Sequence, residues 1–353
     1  MKIAFFSPTL NVGGYERVVL AFANYFAEEE HEVTIVCGNS EGKLHAQISK
    51  KVKVVDLNCR TKTLVFKLSD YFGKNFPEYF YCGFRIYNSI AIISRIISGN
   101  NMTKIVISQH GYEYQNLFKI NFHKIIQSKA DALITVTQSL LVFESETLKL
   151  TCPMIAIGNP VIEHKNIQLI SKEAWFDNMP VLCVCGRLSQ DKNFSLAIDI
   201  IKYLHDMGRK CKLLILGDGP ERGKLEGMVE RYSLKSYVRF EGFVSEPIKY
   251  MSQCHIYLHT CDREGFGNTV VEAMYANLPI ITTDCGGPVD IIENGKYGIC
   301  FGNGRDNNAA IRGAQAVIDI LDKKISISNL KEKALTYSVD CVAERMITFL
   351  KKI

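Results

Sequence analysis

The 353-residue chain has no apolar run approaching the roughly 18 residues that a membrane-crossing helix needs. The nearest stretch, Ile86 to Ile97, follows Arg85 and is interrupted by Arg95. The opening residues Met1 to Pro8 are too short an apolar block for a secretion signal and read as a buried strand. The twelve cysteines contain no Cys-x-x-Cys pair and no zinc-like cluster. Cys183 and Cys185, two residues apart, are expected to share one packed strand face. Reduced thiols in a cytoplasmic protein are the economical expectation. The charge balance, 42 basic against 37 acidic residues, leaves only +5, too little to announce a nucleic-acid binder. Internal repeats and low-complexity tracts are absent. So is the dinucleotide fingerprint Gly-x-Gly-x-x-Gly, since the first candidate turn runs Gly13-Gly14-Tyr15-Glu16-Arg17. That counts against a nicotinamide enzyme.

What the chain has is alternation. With 47% apolar and 22% charged residues it can build sizeable cores. Short apolar runs predict strands at Lys2–Ser7, Glu32–Cys37, Val52–Leu57, Lys104–Ser108 and Ala132–Val136. The series restarts with Pro180–Cys185, Cys211–Leu216, Tyr237–Glu241, His255–His259 and Leu278–Thr283. Helical spacing fills the gaps, as in Tyr15–Phe26, Phe194–Met207 and Glu221–Tyr232. Such alternation predicts two α/β domains, each a doubly wound parallel sheet with helices on both faces. The polar stretch Glu163 to Asn178 reads as their connection. The expected organisation is 1–162, 163–335, and a terminal helix over 336–353 that returns to the first domain.

Charge is concentrated in one region. Residues 42–129 hold eleven Lys and three Arg against two Asp and two Glu, a surplus of ten. Phe66, Tyr71, Phe72, Phe76, Tyr79, Phe80, Tyr81, Phe84 and Tyr87 lie in the same region. Cations interleaved with rings suit an anionic membrane surface. A solvated basic face over an ordinary aromatic core fits the same residues. We take the membrane surface as the expectation.

Four strand-end segments can carry chemistry. Asn11-Val12-Gly13-Gly14 offers backbone N–H groups at a helix N-terminus, which favours an anion. Gly186-Arg187 through Lys192-Asn193 places two cations on one loop, able to clamp a diphosphate. Arg263 through Met274 sets Glu264 and Glu272 on either side of a glycine-rich turn. A carboxylate holds a ribose diol well, although Thr269-x-x-Glu272 also reads as a capping box. Gln109-His110-Gly111-Tyr112-Glu113-Tyr114 puts a histidine at a strand's carboxyl end, where it can meet a substrate hydroxyl. The turn Gly217-Asp218-Gly219-Pro220 reads as structural. No metal site is expected: His255 and His259 share a strand face, but no Glu or Cys spacing accompanies them.

In this order, the segments resemble the family-4 retaining glycosyltransferases of GT-B architecture, over most of the chain. The strongest part is Glu264-Gly-Phe-Gly-Asn-Thr-Val-Val-Glu272-Ala-Met, followed by Leu278-Pro279 and Asp284-Cys285-Gly-Gly-Pro288. The resemblance implies two Rossmann-like domains facing a central cleft, the second binding a nucleotide-sugar donor and the first an acceptor. It implies that Arg187 and Lys192 hold the donor diphosphate, Glu272 the ribose and Glu264 the transferred sugar. Backbone at Phe266, Gly267, Asn268 and Thr269 would contact sugar or phosphate, with Val244 near the base. Gly13 and Gly14 would approach the diphosphate, and His110 would line the reacting side.

The resemblance implies retention of anomeric configuration with no metal and no cofactor. The segment at Asp284 resembles that of bacterial enzymes building surface polysaccharides, so a UDP-sugar is expected, with GDP-sugars second. The expected acceptor is lipid-linked or a glycan, with no nucleic-acid partner. The expected location is cytoplasmic, peripheral on the inner face of the membrane. A nucleotide-sugar 2-epimerase or a non-catalytic nucleotide-sugar-binding protein are the alternatives.

Overall fold

A computed structural model describes residues 1–11, 13–112, 117–163 and 173–353, with backbone alone for 117–120. Val12, Glu113 and Tyr114 of the sequence motifs, and 164–172 of the connecting stretch, lie outside the described residues. The chain forms two compact units, Met1–Val161 with Tyr337–Ile353, and Ile162–Thr336.

The first unit runs β1 (Lys2–Ser7), α1 (Gly14–Glu28), β2 (Glu32–Cys37), β3 (Lys53–Asp56), α2 (Leu64–Lys74) and β4 (Tyr79–Gly83). It continues α3 (Arg85–Ser98), β5 (Lys104–Gln109), α4 (Leu117–Gln127), β6 (Ala132–Thr135), α5 (Gln138–Leu148) and β7 (Met154–Ala156). Its seven strands are all parallel, in the order β3-β2-β1-β4-β5-β6-β7. A parallel sheet covered on both faces needs strands apolar on both faces, and β1 (Lys-Ile-Ala-Phe-Phe-Ser) is buried at every position after Lys2. Ile3 and Phe5 point to one core with Val18, Phe22 and Phe26 of α1. Ala4 and Phe6 point to the opposite core with Leu68 and Phe72 of α2 and Ile92 of α3.

The second unit runs β8 (Val181–Cys185), α6 (Phe194–Asp206), β9 (Lys212–Leu216), α7 (Arg222–Arg231), β10 (Val238–Gly242), α8 (Pro247–Met251) and β11 (Ile256–His259). It continues α9 (Asn268–Tyr275), β12 (Ile280–Thr282), α10 (Gly287–Ile291), β13 (Gly298–Cys300), α11 (Ala309–Leu321) and α12 (Leu330–Leu335). Six parallel strands lie in the order β10-β9-β8-β11-β12-β13. The last helix, α13 (Val339–Leu350), belongs to the first unit. Val342, Met346 and Leu350 recur at helical spacing and join the core beneath α1. Tyr79 donates its hydroxyl hydrogen to the Leu350 carbonyl at 2.8 Å, tying α13 to β4.

Several expectations are corrected. The strands β4, β7 and β13 were not among those the apolar runs predict. The β4 sequence Tyr-Phe-Tyr-Cys-Gly is wholly buried, so Tyr79, Phe80 and Tyr81 are core, as are Tyr71 and Phe72 of α2. Phe66 and Phe76 are the exposed members of that aromatic set. Arg85, counted in the basic region, is fully buried and paired with Glu144 of α5 at 2.7 Å. All twelve cysteines are free thiols. Among the described residues, no helix is long and apolar enough to cross a membrane.

Candidate active site

In a doubly wound sheet, ligands bind beyond the carboxyl ends of the strands, where strand order reverses. In the second unit the reversal falls between β8 and β11, which are hydrogen-bonded neighbours. The loop after β8 carries Arg187 and Lys192. The loop after β11 carries Glu264. Adjacent strands therefore bring together residues 72 positions apart: Lys192 Nζ hydrogen-bonds Glu264 Oε2.

Three further contacts fix the two loops. Thr260 donates its hydroxyl hydrogen to the Lys192 carbonyl at 3.0 Å. The Asp262 N–H bonds the Asp191 carbonyl at 2.9 Å. Asn193 Nδ2 donates to Asp262 Oδ1 at 3.3 Å. Asn193 itself is left-handed (φ 47°) and caps α6, a conformation that Asn tolerates. Burial works to raise the Glu264 carboxyl, but the Lys192 charge and the Phe266 amide outweigh it and hold the group below the usual range. Burial likewise opposes the Lys192 charge, and Glu264 overcomes it, so the ammonium is held well above its ordinary value. Both groups are ionised over any working pH. Arg187, on the same loop, is exposed.

After Glu264 the chain turns into α9. Gly267 is the N-cap at φ 104°, a left-handed position that suits glycine. The cap uses no side chain, so the capping box expected at Thr269 does not form. The N-cap lies two residues earlier, at Gly267, and Thr269 accepts a 2.7 Å hydrogen bond from the buried Tyr257 hydroxyl. Glu272, in the same helix, is half-buried. The first-turn amides at Phe266 to Thr269 lie where an anion is favoured. A β-carbon on Gly287 would lie 2.5 Å from the Gly265 carbonyl oxygen, so the Gly286-Gly287 pair is needed to let the next loop pack against this turn. Glu264 N–H bonds the Cys285 carbonyl at 2.8 Å in the same contact. Val244 lies in the loop after β10, half-buried beside the exposed Phe243.

In the first unit the reversal falls between β1 and β4. Gly13 caps α1 after β1. A β-carbon there would clash with the Glu16 carboxylate at 2.1 Å, whereas one on Gly14 would meet nothing within 4 Å. The Glu16 side chain can swing aside and Gly13 has ordinary extended backbone (φ -145°), so the open approach is at Gly14. His110 follows β5. Its Nε2 lies 3.1 Å from Ser108 Oγ and 3.2 Å from the Tyr81 hydroxyl, and Tyr15 packs edge-on at 4.9 Å. Ser108 in turn donates to the Cys82 carbonyl. Burial pushes the His110 pKa down to about 4, with Asn159 opposing. His110 is therefore neutral near pH 7, a hydrogen-bonding group and not a cation.

Sequence reasoning missed His110's partners Tyr15, Tyr81 and Asn159, and Phe84, which enters α3 at a strained φ of 66°. It also missed that Cys261 and His259 stand beside Glu264. Beside this site, a groove of about 470 Å³ is lined by Ser189, Asn193, Asp262 and Arg305 among others, without Lys192 or Glu264.

Residues 166–336 match the model of the family described as glycosyl transferases group 1. The 2-deoxystreptamine N-acetyl-D-glucosaminyltransferase of Niallia circulans is 32% identical over 116 residues, 32% of this chain and 30% of that protein. The first three curated relatives are matched over 30%, 59% and 51% of their lengths. A Campylobacter jejuni α-1,4-N-acetyl-D-galactosaminyltransferase acting on an undecaprenol-diphosphate-linked glycan is 26% identical over 100% of this chain and 99% of its own. Among solved structures, Anabaena HepE in complex with UDP and glucose superposes with a TM-score of 0.79 at 19% identity, over all of both chains. The lipopolysaccharide outer core galactosyltransferase WaaB gives 0.78 at 20%, covering 100% of this chain and 99% of its own. Both neighbours share the pair of parallel-sheet Rossmann-like units, so the fold is GT-B, and within it residues 166–336 match the glycosyl transferases group 1 family.

Proposed function

We propose that this protein is a retaining, metal-independent glycosyltransferase that moves a sugar from a UDP-sugar, with GDP-sugars second, to a lipid-linked or polysaccharide acceptor in bacterial surface glycan synthesis. The observation that carries the proposal is the Lys192–Glu264 pair, held at the strand-order reversal of the second unit beside the α9 N-terminus. In this reading the second unit takes the donor and the first the acceptor. Lys192 and Arg187 face the diphosphate, Glu264 the hydroxyls of the transferred sugar and Glu272 the ribose. Backbone at Phe266, Gly267, Asn268 and Thr269 contacts sugar or phosphate, Val244 lies near the base, and Gly14 with His110 act from the first unit.

The bond from the sugar's anomeric carbon to the diphosphate oxygen breaks, and negative charge develops on that oxygen. Fixed cations and N–H groups aimed at such charge lower the barrier. The acceptor hydroxyl forms its bond on the same face, and its proton passes to the departing phosphate oxygen. His110, neutral, hydrogen-bonds without adding charge. The relatives named above, one acting on a lipid-linked glycan and one a lipopolysaccharide galactosyltransferase, support the acceptor class.

Melting with UDP, GDP and ADP and their sugar conjugates tests the donor. A ligand at 100 times its dissociation constant adds about 2.7 kcal/mol. A shift with UDP-sugars, unchanged by magnesium, is expected; no shift with any nucleotide overturns the donor assignment. Epimerisation without acceptor would favour the 2-epimerase, and binding without turnover a non-catalytic protein.

The proposal extends to a peripheral membrane position. Helices α2, α3 and α4 pack successively over one face of the first sheet. Phe66 (69% exposed), Ile96, Ile97, Met102 (76%), Phe122 and Ile125 (69%) are exposed on this layer. Lys62, Lys67 and Lys129 are exposed with them. Apolar side chains among cations suit an anionic lipid surface. Binding to phosphatidylglycerol vesicles that weakens with salt is expected, and no binding at low salt removes this part.

A further inference from the structure

The loop that carries Glu264 holds a second constellation, of which the donor reading uses Glu264 alone. His259 ends β11, Cys261 follows two residues later, and Glu264 three after that. One ligand atom from each, an imidazole nitrogen, Sγ and a carboxylate oxygen, lies within 4.8 Å of the other two. Cys261 Sγ is 3.9 Å from Glu264 Oε2. His259 and Cys261 are 4% and 1% exposed. His259 Nε2 is buried with no hydrogen-bond partner among the described residues. Leaving such a nitrogen unpaired costs about 1–3 kcal/mol, so a ligand for it has an energetic ground. Burial pushes the His259 pKa down to about 4.

We propose that His259, Cys261 and Glu264 form a binding site for a thiophilic divalent cation such as Zn2+. Nitrogen, sulfur and oxygen together suit zinc, whereas thiolate disfavours magnesium and calcium. Bond lengths of about 2.0–2.3 Å set ligand atoms roughly 3.5 Å apart in a tetrahedron. The observed spacing reaches that with side-chain shifts of about an ångström. Three protein ligands leave a fourth position open. Binding releases one proton, from Cys261 Sγ, and involves no change of oxidation state. Thiolate and carboxylate then balance the ion's charge. Glu264 is drawn away from Lys192, which the incoming cation repels. A further consequence rests on the donor reading above: ion and donor compete for Glu264, so zinc inhibits transfer.

The test uses the full-length reduced protein and Co2+ as the probe, because a cobalt–thiolate bond gives an intense ultraviolet absorption. One equivalent is expected to bind with this band and to be displaced by Zn2+. The band is expected to vanish in Cys261→Ser and to need roughly tenfold more metal or worse in His259→Gln, one ligand short. It is expected to persist in Cys300→Ser/Cys341→Ser, which removes the two exposed thiols. Melting of each metal-free variant establishes that it is folded. If Cys261→Ser is not folded, His259→Gln decides. No band in the wild type, or an undiminished band in the folded variants, overturns the site. UDP-sugar melting on the metal-free wild type separates the two readings. A UDP-sugar shift without a cobalt band sinks the metal site alone. A band without that shift sinks the donor reading and leaves the site standing.

Discussion

Replacing Lys192 by Met removes the cation and keeps most of the stem. Two costs follow, and they separate by size. The first is structural. The Glu264 side chain is 21% exposed, so its carboxylate loses a partner while mostly out of water. Breaking a fully buried pair costs about 3–5 kcal/mol. With the Phe266 amide still in place and a fifth of the side chain wet, about 2 kcal/mol is the better figure. For a unit of this size that lowers the melting point by roughly 4–8 °C. The second cost is catalytic. Losing one group aimed at the developing charge costs roughly 100- to 1000-fold in kcat. A domain stable by about 5–15 kcal/mol stays folded after losing 2, so unfolding cannot account for such a drop well below the melting point. The assay is transfer from a UDP-sugar, with melting measured on the same sample. Lys192→Arg, which keeps the charge, is expected to recover part of kcat. A folded Lys192→Met protein that keeps more than about a tenth of wild-type kcat refutes the cation's role.

The pair at the centre of the first unit predicts a larger structural effect. Arg85→Met takes the guanidinium away from a carboxylate at zero exposure and is expected to cost about 3–5 kcal/mol in urea unfolding, whereas Arg85→Met/Glu144→Leu recovers most of it. A single-variant cost under about 1 kcal/mol contradicts this. Gly287→Ala places a methyl group 2.5 Å from the Gly265 carbonyl oxygen and is expected to push the two loops apart. The UDP-sugar melting shift should shrink, and an unchanged shift would show that the close approach does not matter. His110 links stability to pH. Its folded pKa of about 4 lies below the ordinary 6.5, so below pH 6.5 the unfolded chain takes up a proton that the folded one refuses. Stability is complete above 6.5 and falls toward pH 4, by up to about 3 kcal/mol. His110→Gln should flatten that part of the pH curve, and two parallel curves would refute it.

The sequence made the long parallel strands visible because burial on both faces leaves an unbroken apolar run, as in Lys2–Ser7 and Glu32–Cys37, observed at those bounds. Strands β7 and β13 have three residues each and are only partly buried, so no unbroken apolar run marks them, whereas the equally short β12 is buried throughout. Strand β4 was missed for another reason. Tyr79, Phe80 and Tyr81 sit in a dense run of aromatics with lysines on either side, and chemistry of that kind suits a lipid surface as well as a core. Only packing separates the two. Here Phe80 lies against Phe72 at 4.8 Å and Tyr81 against Phe5 at 5.6 Å. The exposed apolar side chains of the region are mostly Ile and Met on helices α3 and α4 and the turn before β5, residues that give no signal when read one at a time.

That one missed strand matters for the site as well. Each unit reverses its strand order once, at β1/β4 and at β8/β11. In the second unit both flanking strands were legible, so the motifs around Lys192 and Glu264 could be placed on strand ends, though not paired. Pairing comes from spatial strand order, which the linear series does not state. In the first unit, without β4, Gly14 and His110 had no common frame: one followed the first strand, the other a strand about 100 residues later. Inserting β4 between β1 and β5 makes these loops near neighbours and puts Tyr81, a β4 residue, on His110. The same logic explains the cluster at Glu264. His259, Cys261 and Glu264 are within five positions of one another, but their spacing matches no helix or strand period that would aim three side chains together. It is the turn leaving β11, fixed by Thr260, Asp262 and Cys285, that folds them onto one point.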